Sequence, residues 1–368
     1  MQISLLGHLV CPICKGKLNA NNFQQNIGKS DIDDQIIKNG ILSCDKCKII
    51  YPIINCIPIM LDFPTNVAIE FLKRYNDDLE QFKDYTLPNN KPCPGEVYVQ
   101  KAFSKQWKTH GTEQPLQYGY NEDELRLFIK IQLGFEPDWF KDKILLNVGC
   151  GAGREAIMIH EYTKSTVIGV DLNFSLLQLG EKTLLYPNVH FVQASLFNLP
   201  FRERGFDYVF SHGVIHHTYS TEKALKSISK FVKNMGYLYI WVYGIRQVND
   251  LINGLYVIFV QYFLRPKISK LPTNLQTMIL FPIVIISYLM QKIKHKKPNW
   301  KDLWLQIRDS HTVYYSHWQS MAEVIVWLKE AEMSNITPLE IEKIPRYLWH
   351  SWRANVGLRS QYVESKNK

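Results

Sequence analysis

The chain contains no internal repeat and no low-complexity tract, so its 368 residues are read as ordinary globular domains, one large and one small. Its first residues, MQISLLGHLVC, lack a basic start and a small-residue cleavage site. No secretory signal is expected, and a cytoplasmic setting with reduced thiols follows. Neither LINGLYVIFVQYFL nor TMILFPIVIISYLM, the two apolar runs within 251–290, reaches the roughly 20 residues needed to span a bilayer, and Pro282 interrupts the second. Cysteine is sparse and odd in number, seven in all, which argues against a disulfide framework. The formal charge of +9 permits an anionic partner without demanding one.

Four of the cysteines form two close pairs. Cys11-Pro-Ile-Cys14 and Cys44-Asp-Lys-Cys47 have the knuckle spacing in which each C-x-x-C turn presents two sulfurs to one tetrahedral ion. A segment of about 65 residues buries too little apolar surface to fold unaided, and a structural Zn2+ would supply the missing free energy. With four thiolates and no open position, such a site is structural rather than catalytic. The surrounding strings LLGHLVCPICKGKL and ILSCDKCKIIYPIINCIPIML resemble the small zinc-ribbon activator subunit of tRNA and protein methyltransferases, here fused in cis. Cys56 stands where that family usually has a glycine before Ile-Pro.

Residues 144–171, ILLNVGCGAGREAIMIHEYTKSTVIGVD, read as an apolar strand, a glycine-rich turn, a helix, a second strand and a terminal acid. Gly149, Gly151 and Gly153 let the backbone turn sharply and approach a ligand closely. Asp171 lies at about the offset where a carboxylate meets ribose hydroxyls. Arg154 follows Gly153 and the fourth glycine of a dinucleotide fingerprint is missing, which disfavours a pyrophosphate ligand.

ILLNVGCGAG resembles the first motif of class I S-adenosylmethionine (SAM)-dependent methyltransferases, and VIGVDLN, VHFVQASLFNLPF and FDYVFSHGVIHHT resemble the motifs that follow it. KALKSISKFVKNMGYLYIWVYG is similar to the next helix and fifth strand, so residues 144–244 run in order and in register with the type 11 methyltransferase domain. The resemblance implies an α/β fold: a doubly wound, mostly parallel seven-stranded sheet of Rossmann-like methyltransferase type, with an N-terminal zinc ribbon and a helical cap insertion. The expected divisions are a zinc ribbon over 1–64, a helical linker and lid over 65–135, a SAM-binding core over 136–245, a cap over 246–318 and the C-terminal part of the core over 319–368.

Strands are expected at 144–148, 166–170, 189–193, 207–211 and 237–242, with helices near 153–162, 174–185 and 221–233. NITPLEIEKI and the region around ANVGLRSQY would supply two last, antiparallel strands. Residues 66–84 read as one amphipathic helix. Ser320 and Glu323 form a capping box that starts another. Phe103 and Trp107, at i, i+4 spacing, are either a lid over the cofactor or ordinary core.

The resemblance also implies the site. The turn at Gly149, Cys150, Gly151 and Gly153 would cradle the amino-acid end of SAM, and Asp171 would accept from both ribose hydroxyls. Leu172 would pack on the adenine, Ser195 and Leu196 would read its edge, and Ser211 and Gly213 would line the methionine side. Asn147 and Ser195 each stand where the family usually has a carboxylate, so restoring aspartate at either is expected to tighten SAM binding. His212, His216 and His217 cluster where the family faces its acceptor and are candidates for proton transfer. Tyr314 and His317, in DSHTVYYSHW, are further candidates.

The leading functional reading is methyl transfer to the oxygen, carbon or nitrogen of a small or lipid-like acceptor. A tRNA or protein methyltransferase is the enzyme alternative, suggested by the ribbon. Nucleic acid is disfavoured because SHGVIHH replaces the Asn-Pro-Pro-Tyr-like motif expected after the fourth strand. A degenerate fold serving as a binding or scaffold module is a third reading, opposed by intact Asp171 and all three glycines. Residues 251–297 are expected either to be buried cap helices or, as an interfacial hairpin with the basic end QKIKHKK, to touch a membrane peripherally. Burial is favoured, because apolar helices in soluble chains are usually internal.

Overall fold

The computed structural model describes residues 1–23, 36–109, 121–245, 259–293, 299–343 and 355–364. Among them, two sheets form. The first is antiparallel, with strands in sequential order: β1 (Asn19–Asn22), β2 (Gly40–Cys44), β3 (Ile49–Ile54) and β4 (Ile57–Pro58). Between β3 and β4, Ile54 pairs with Ile57, and the two residues that join them, Asn55 and Cys56, have φ of 47° and 65°. A two-residue hairpin of this kind requires positive φ at both positions. Cysteine therefore makes a tight turn that glycine would make without strain, at about 1–2 kcal/mol of left-handed backbone strain.

The second sheet has seven strands: β5 (Ile144–Val148), β6 (Thr166–Asp171), β7 (Val189–Gln193), β8 (Phe206–His212), β9 (Val232–Val242), β10 (Met333–Pro338) and β11 (Val356–Tyr362), in the order β10-β11-β9-β8-β5-β6-β7. β5 pairs in parallel with β6 on one side and β8 on the other, so the order reverses there. Beyond the carboxyl ends of strands at such a reversal lies the crevice where open α/β sheets bind ligands. Of the last two strands only β11 runs against the rest. It is antiparallel to both β9 and β10, so β10, entered through a helical crossover, points along the core.

The described helices are α1 (Asn66–Arg74), α2 (Glu96–Thr109), α3 (Glu122–Leu133), α4 (Arg154–Thr163), α5 (Thr221–Ser229), α6 (Thr273–Ile293), α7 (Trp300–Thr312) and α8 (Met321–Glu330), besides shorter turns. The Ser320 box caps α8 as expected. Three other helices are shorter than their patterns suggest. α1 stops at Arg74 and a 3-10 turn, Asp77–Phe82, continues it. Residues 174–185 form two 3-10 pieces that meet at Gly180, whose φ of 46° ends regular helix. α5 ends at Ser229 because β9 already starts at Val232.

The large sheet has a core on each face. Leu146 and Val148 enter one cluster, and Leu145, one residue out of phase, enters the other. The ribbon completes the first cluster: Leu9, Leu18, Leu42, Tyr51 and Met60 share it with Val192, Leu199 and Phe201. The ribbon therefore docks on the sheet. The backbone N–H of Met60 donates to the Gln193 carbonyl at 2.7 Å, that of Val10 to Pro200 at 2.9 Å, and Lys15 Nζ to Leu199 at 2.9 Å. β7 is the outermost strand on this side, and the ribbon covers an edge that would otherwise expose unpaired backbone groups.

The expectation of a buried cap is corrected at α6. This helix runs for 21 residues, straight through Pro282, and is long and apolar enough to cross a membrane by length and composition. Only 11% of its apolar stretch is buried. Leu280 and Val284 pack on Leu303 and Ile307 of α7, whereas Met278, Phe281, Ile286, Leu289, Met290 and Ile293 face outwards. An apolar helix does not reveal from its sequence whether protein or another apolar medium surrounds it. Residues 251–258 and 294–297, part of the expected membrane-contacting stretch, lie outside the described residues.

Candidate active site

A cavity of about 570 Å³ opens at the carboxyl ends of β5, β6 and β8, a size typical of small-molecule sites. Its floor is the glycine turn. Gly149 has φ of 81°, and a Cβ there would lie 2.2 Å from Val214. Gly151 has φ of 58° and lies under Trp107, which a Cβ would meet at 2.9 Å. Only glycine satisfies both the backbone and the space. The Gly151 N–H donates to Asp171 Oδ2 at 2.8 Å, which ties the tip of β6 to the turn after β5.

Of the residues assigned to SAM from the sequence, Gly149, Cys150, Gly151, Asp171, Leu172, Leu196 and Gly213 line the cavity. Asn147, Gly153, Ser195 and Ser211 do not; they stand behind the wall. Two of these hold a glutamate that does line it. Asn147 Nδ2 donates to Glu155 Oε2 at 3.3 Å, and Ser195 Oγ to Glu96 Oε1 at 2.5 Å. Burial pushes the Glu155 carboxyl up to about 8 and raises that of Glu96 as well. Two carboxyl groups thus reach the cavity wall from α4 and α2, each hydrogen-bonded to a strand residue behind it.

The opposite end holds the histidines. His217 is 3% exposed and lines the cavity. Its Nδ1–H donates to the Tyr315 carbonyl at 2.8 Å, which makes Nε2 the lone-pair nitrogen. Asp309 Oδ1 lies 3.9 Å from Nε2, and Oδ2 of the same carboxylate accepts from Tyr243 at 2.5 Å. Burial lowers the His217 pKa and Asp309 partly offsets it, so the ring is neutral at neutral pH. His212 also lines the cavity; its Nδ1 accepts from Gln132 at 2.6 Å, its ring stacks on Trp241, and burial lowers its pKa to about 4.

His216 is off the wall. Its ring is wholly buried, packed on His217 and Tyr243, so it has no path to an acceptor. The further candidates are displaced by one residue. Tyr314 stacks on Tyr98 and His317 Nε2 donates to the Thr218 carbonyl, while Tyr315 and Trp318 reach the cavity. Phe103 packs edge-on against His217 and Trp107 covers Gly151, so both aromatics of α2 face the site. Glu96, Glu155, Asp309 and Arg265 went unrecognised in the sequence. Only Asp309 had a signal, as the first residue of DSHTVYYSHW.

The ribbon cysteines converge. All four sulfurs lie within 4.8 Å of one another, with neighbouring pairs at 3.4–3.5 Å. A tetrahedron of 2.3 Å Zn–S bonds has edges of about 3.8 Å, so a small outward movement admits the ion. The Tyr51 hydroxyl, also buried, sits 3.2 Å from Cys11 Sγ.

Residues 146–240 match the methyltransferase domain family, and residues 4–55 match the Trm112p-like protein family. The chain carries a SAM-dependent methyltransferase domain behind a Trm112p-like domain. Among curated relatives, a 138-residue stretch is 33% identical to the ubiquinone/menaquinone biosynthesis C-methyltransferase UbiE of Blochmanniella pennsylvanica, covering 36% of this chain and 53% of that protein. A 122-residue stretch is 27% identical to the probable tRNA methyltransferase 9B of Mus musculus, covering 31% of this chain and 25% of that one. The chain thus spans about half or less of the length of these relatives. The complex of the Haloferax volcanii Trm112 methyltransferase activator with a putative methyltransferase aligns at a TM-score of 0.40 and 10% identity, over 75% of this chain and 100% of that one, a likeness too low to carry an argument.

Proposed function

We propose that this protein transfers a methyl group from SAM to a small or lipid-like acceptor held beside His217. The observation that carries the choice of acceptor is the depth of that histidine. At 3% exposure, in a cavity bounded by α2, α7 and the 315–318 segment, it is reached by a small molecule more readily than by a folded RNA or a protein side chain. SAM, when bound, supplies a methyl group on a positively charged sulfur. The protein's contribution is to bind, orient and exclude water. Gly149 to Gly151 and Glu155 would hold the amino-acid end, Asp171 the ribose, and Leu172, Leu196 and Glu96 the adenine.

The tRNA methyltransferase relative and the Trm112p-like domain favour a second reading, a tRNA or protein substrate. The ribbon's contacts at Gln193, Leu199 and Phe201 lie at the sheet edge on the adenine side, and in the proposed reading its work is structural, around a four-thiolate zinc. A screen of S-adenosylhomocysteine (SAH) release with an isoprenoid or aromatic acceptor pool against bulk tRNA separates the two. Turnover with tRNA alone would reverse the assignment.

Cofactor affinity tests the relocated carboxylates. Glu155→Gln and Glu96→Gln are each expected to weaken SAH binding about tenfold, the effect of losing a buried hydrogen-bond partner. Asn147→Asp and Ser195→Asp, which the sequence alone would make tighter binders, are expected to weaken it instead. Each would crowd a second carboxyl group against a buried one, across a contact now of 3.3 or 2.5 Å, and make ionisation of either harder. Calorimetry reads this directly, and tighter binding by either aspartate variant would remove the two glutamates from the site.

The outer face of α6 suits an anionic membrane surface. In the sequence the helix follows Lys267 and Lys270, carries Lys292 in its last turn and precedes Lys294, Lys296 and Lys297. Lying in the interface fits better than spanning, since a spanning α6 would draw Lys301, Arg308 and Asp309 of its partner α7 into hydrocarbon. With anionic liposomes the protein is expected to float, and Ile286→Glu with Met290→Glu should leave it at the bottom with SAH binding intact. A wild-type protein that never floats ends the membrane reading.

A further inference from the structure

We propose that the acceptor carries an anionic group, a carboxylate or a phosphate, and that Arg265 receives it. The inference rests on the methyltransferase reading of the cavity. Arg265 begins the short helix Arg265–Ile268, is 2% exposed and lines the cavity on the same side as His217, Asp309 and Ser310. Its Nη2 donates to the Ser310 carbonyl. Among the described residues its Nε and Nη1 have no hydrogen-bond partner, which leaves at least three N–H groups of the five without an acceptor.

Among the described residues Arg265 has no ion-pair partner within 4.0 Å, and Asp309 offsets its burial only in part. Asp309, the nearest acid to influence it, is already engaged by Tyr243 and faces His217. Burial lowers the guanidinium pKa to about 10, which still leaves it charged at neutral pH. A buried cation without a partner is strongly unfavourable, whereas one that meets an anion in a dry cavity makes a strong, directional contact. An acceptor bearing such an anion would be held by that end, with its reacting atom presented towards His217 and the cofactor side.

The SAM carboxylate is the rival occupant, but the turn expected to hold the amino-acid end of SAM is built from Gly149 to Gly153 and Glu155, and Arg265 is grouped instead with α7 and Tyr243. The test uses octanoate, octyl phosphate and octanol, titrated into the SAH-loaded protein and followed by calorimetry. At least one anion is expected to bind about tenfold or more tightly than octanol, and the tighter of the two identifies carboxylate or phosphate. Arg265→Gln should abolish that preference while leaving SAH affinity within about twofold, and Arg265→Lys should keep part of it. Equal binding of the three probes by the wild-type protein overturns the proposal whether or not a variant folds. So does an Arg265→Gln protein that keeps the preference, or one that loses SAH in parallel. If the wild-type chain binds no SAH, the cofactor reading falls separately, and the octanoate against octanol comparison on the unloaded protein still decides the anion site.

Discussion

Stripping zinc from the ribbon is expected to split thermal unfolding into two transitions, the ribbon melting first, and to weaken SAH binding about tenfold. The size follows from the apparent binding free energy of structural zinc sites, on the order of 10 kcal/mol, which in a small ribbon is folding free energy. The ribbon is not isolated, however. Leu9, Tyr51 and Met60 share one apolar cluster with Val192 and Phe201, so part of its surface stays buried only while it is docked. Its last segment reaches the cofactor side directly. Ile59, Leu61 and Phe63 pack with Leu172, whose carbonyl also accepts from Gln100 and Gln193 at 3.0 Å each. Loosening the ribbon would free Leu172 and the adenine wall along with it. Metal analysis should give one zinc per chain, lost on chelation or in Cys14→Ser. A single unchanged transition after chelation, with SAH affinity intact, would mean that the four thiols hold the ribbon without metal.

What was legible in the sequence divides along a physical line. β5, β6 and β7 are buried on both faces and are mostly apolar, so their positions follow from composition within a residue. The glycine turn and Asp171 announce themselves because the backbone there admits few alternatives. The cysteine knuckles do so because a tetrahedral ion fixes their spacing. The missing pieces are contacts between distant segments. Glu96 meets Ser195 across 99 residues of chain, and no local pattern marks it. Asn147 and Glu155 are eight residues apart, but the pairing needs the strand, the turn and the first turn of α4 to be in place. The departures at 147 and 195 are visible as losses, whereas the glutamates that pair with them are visible only in three dimensions. α6 shows the opposite failure: its composition was plain, and what surrounds it was not.

His217→Asn should lower kcat by about 10²- to 10⁴-fold, the usual contribution of a positioned general base. Asparagine keeps the size and a hydrogen bond to the Tyr315 carbonyl, so the wall stays intact and SAH affinity should change little. What is lost is the Nε2 lone pair. The Nδ1 proton is committed to Tyr315 at 2.8 Å, and Asp309, 3.9 Å from Nε2, would stabilise an imidazolium formed there by the acceptor's proton. Asp309→Asn should therefore reduce kcat less than His217→Asn and move the pH profile. The sign can be worked out. In the proposed reading the active form is neutral His217, whose pKa burial depresses below the ordinary value of 6.5, so turnover should be flat through neutral pH and fall on the acid side as the ring protonates. Removing the Asp309 charge removes the contribution that raises that pKa, which shifts the acid limb to still lower pH. An acceptor that reaches the site already ionised needs no base. In that case His217→Asn would keep near-normal kcat, and the histidine would be left as a wall residue that aligns the acceptor.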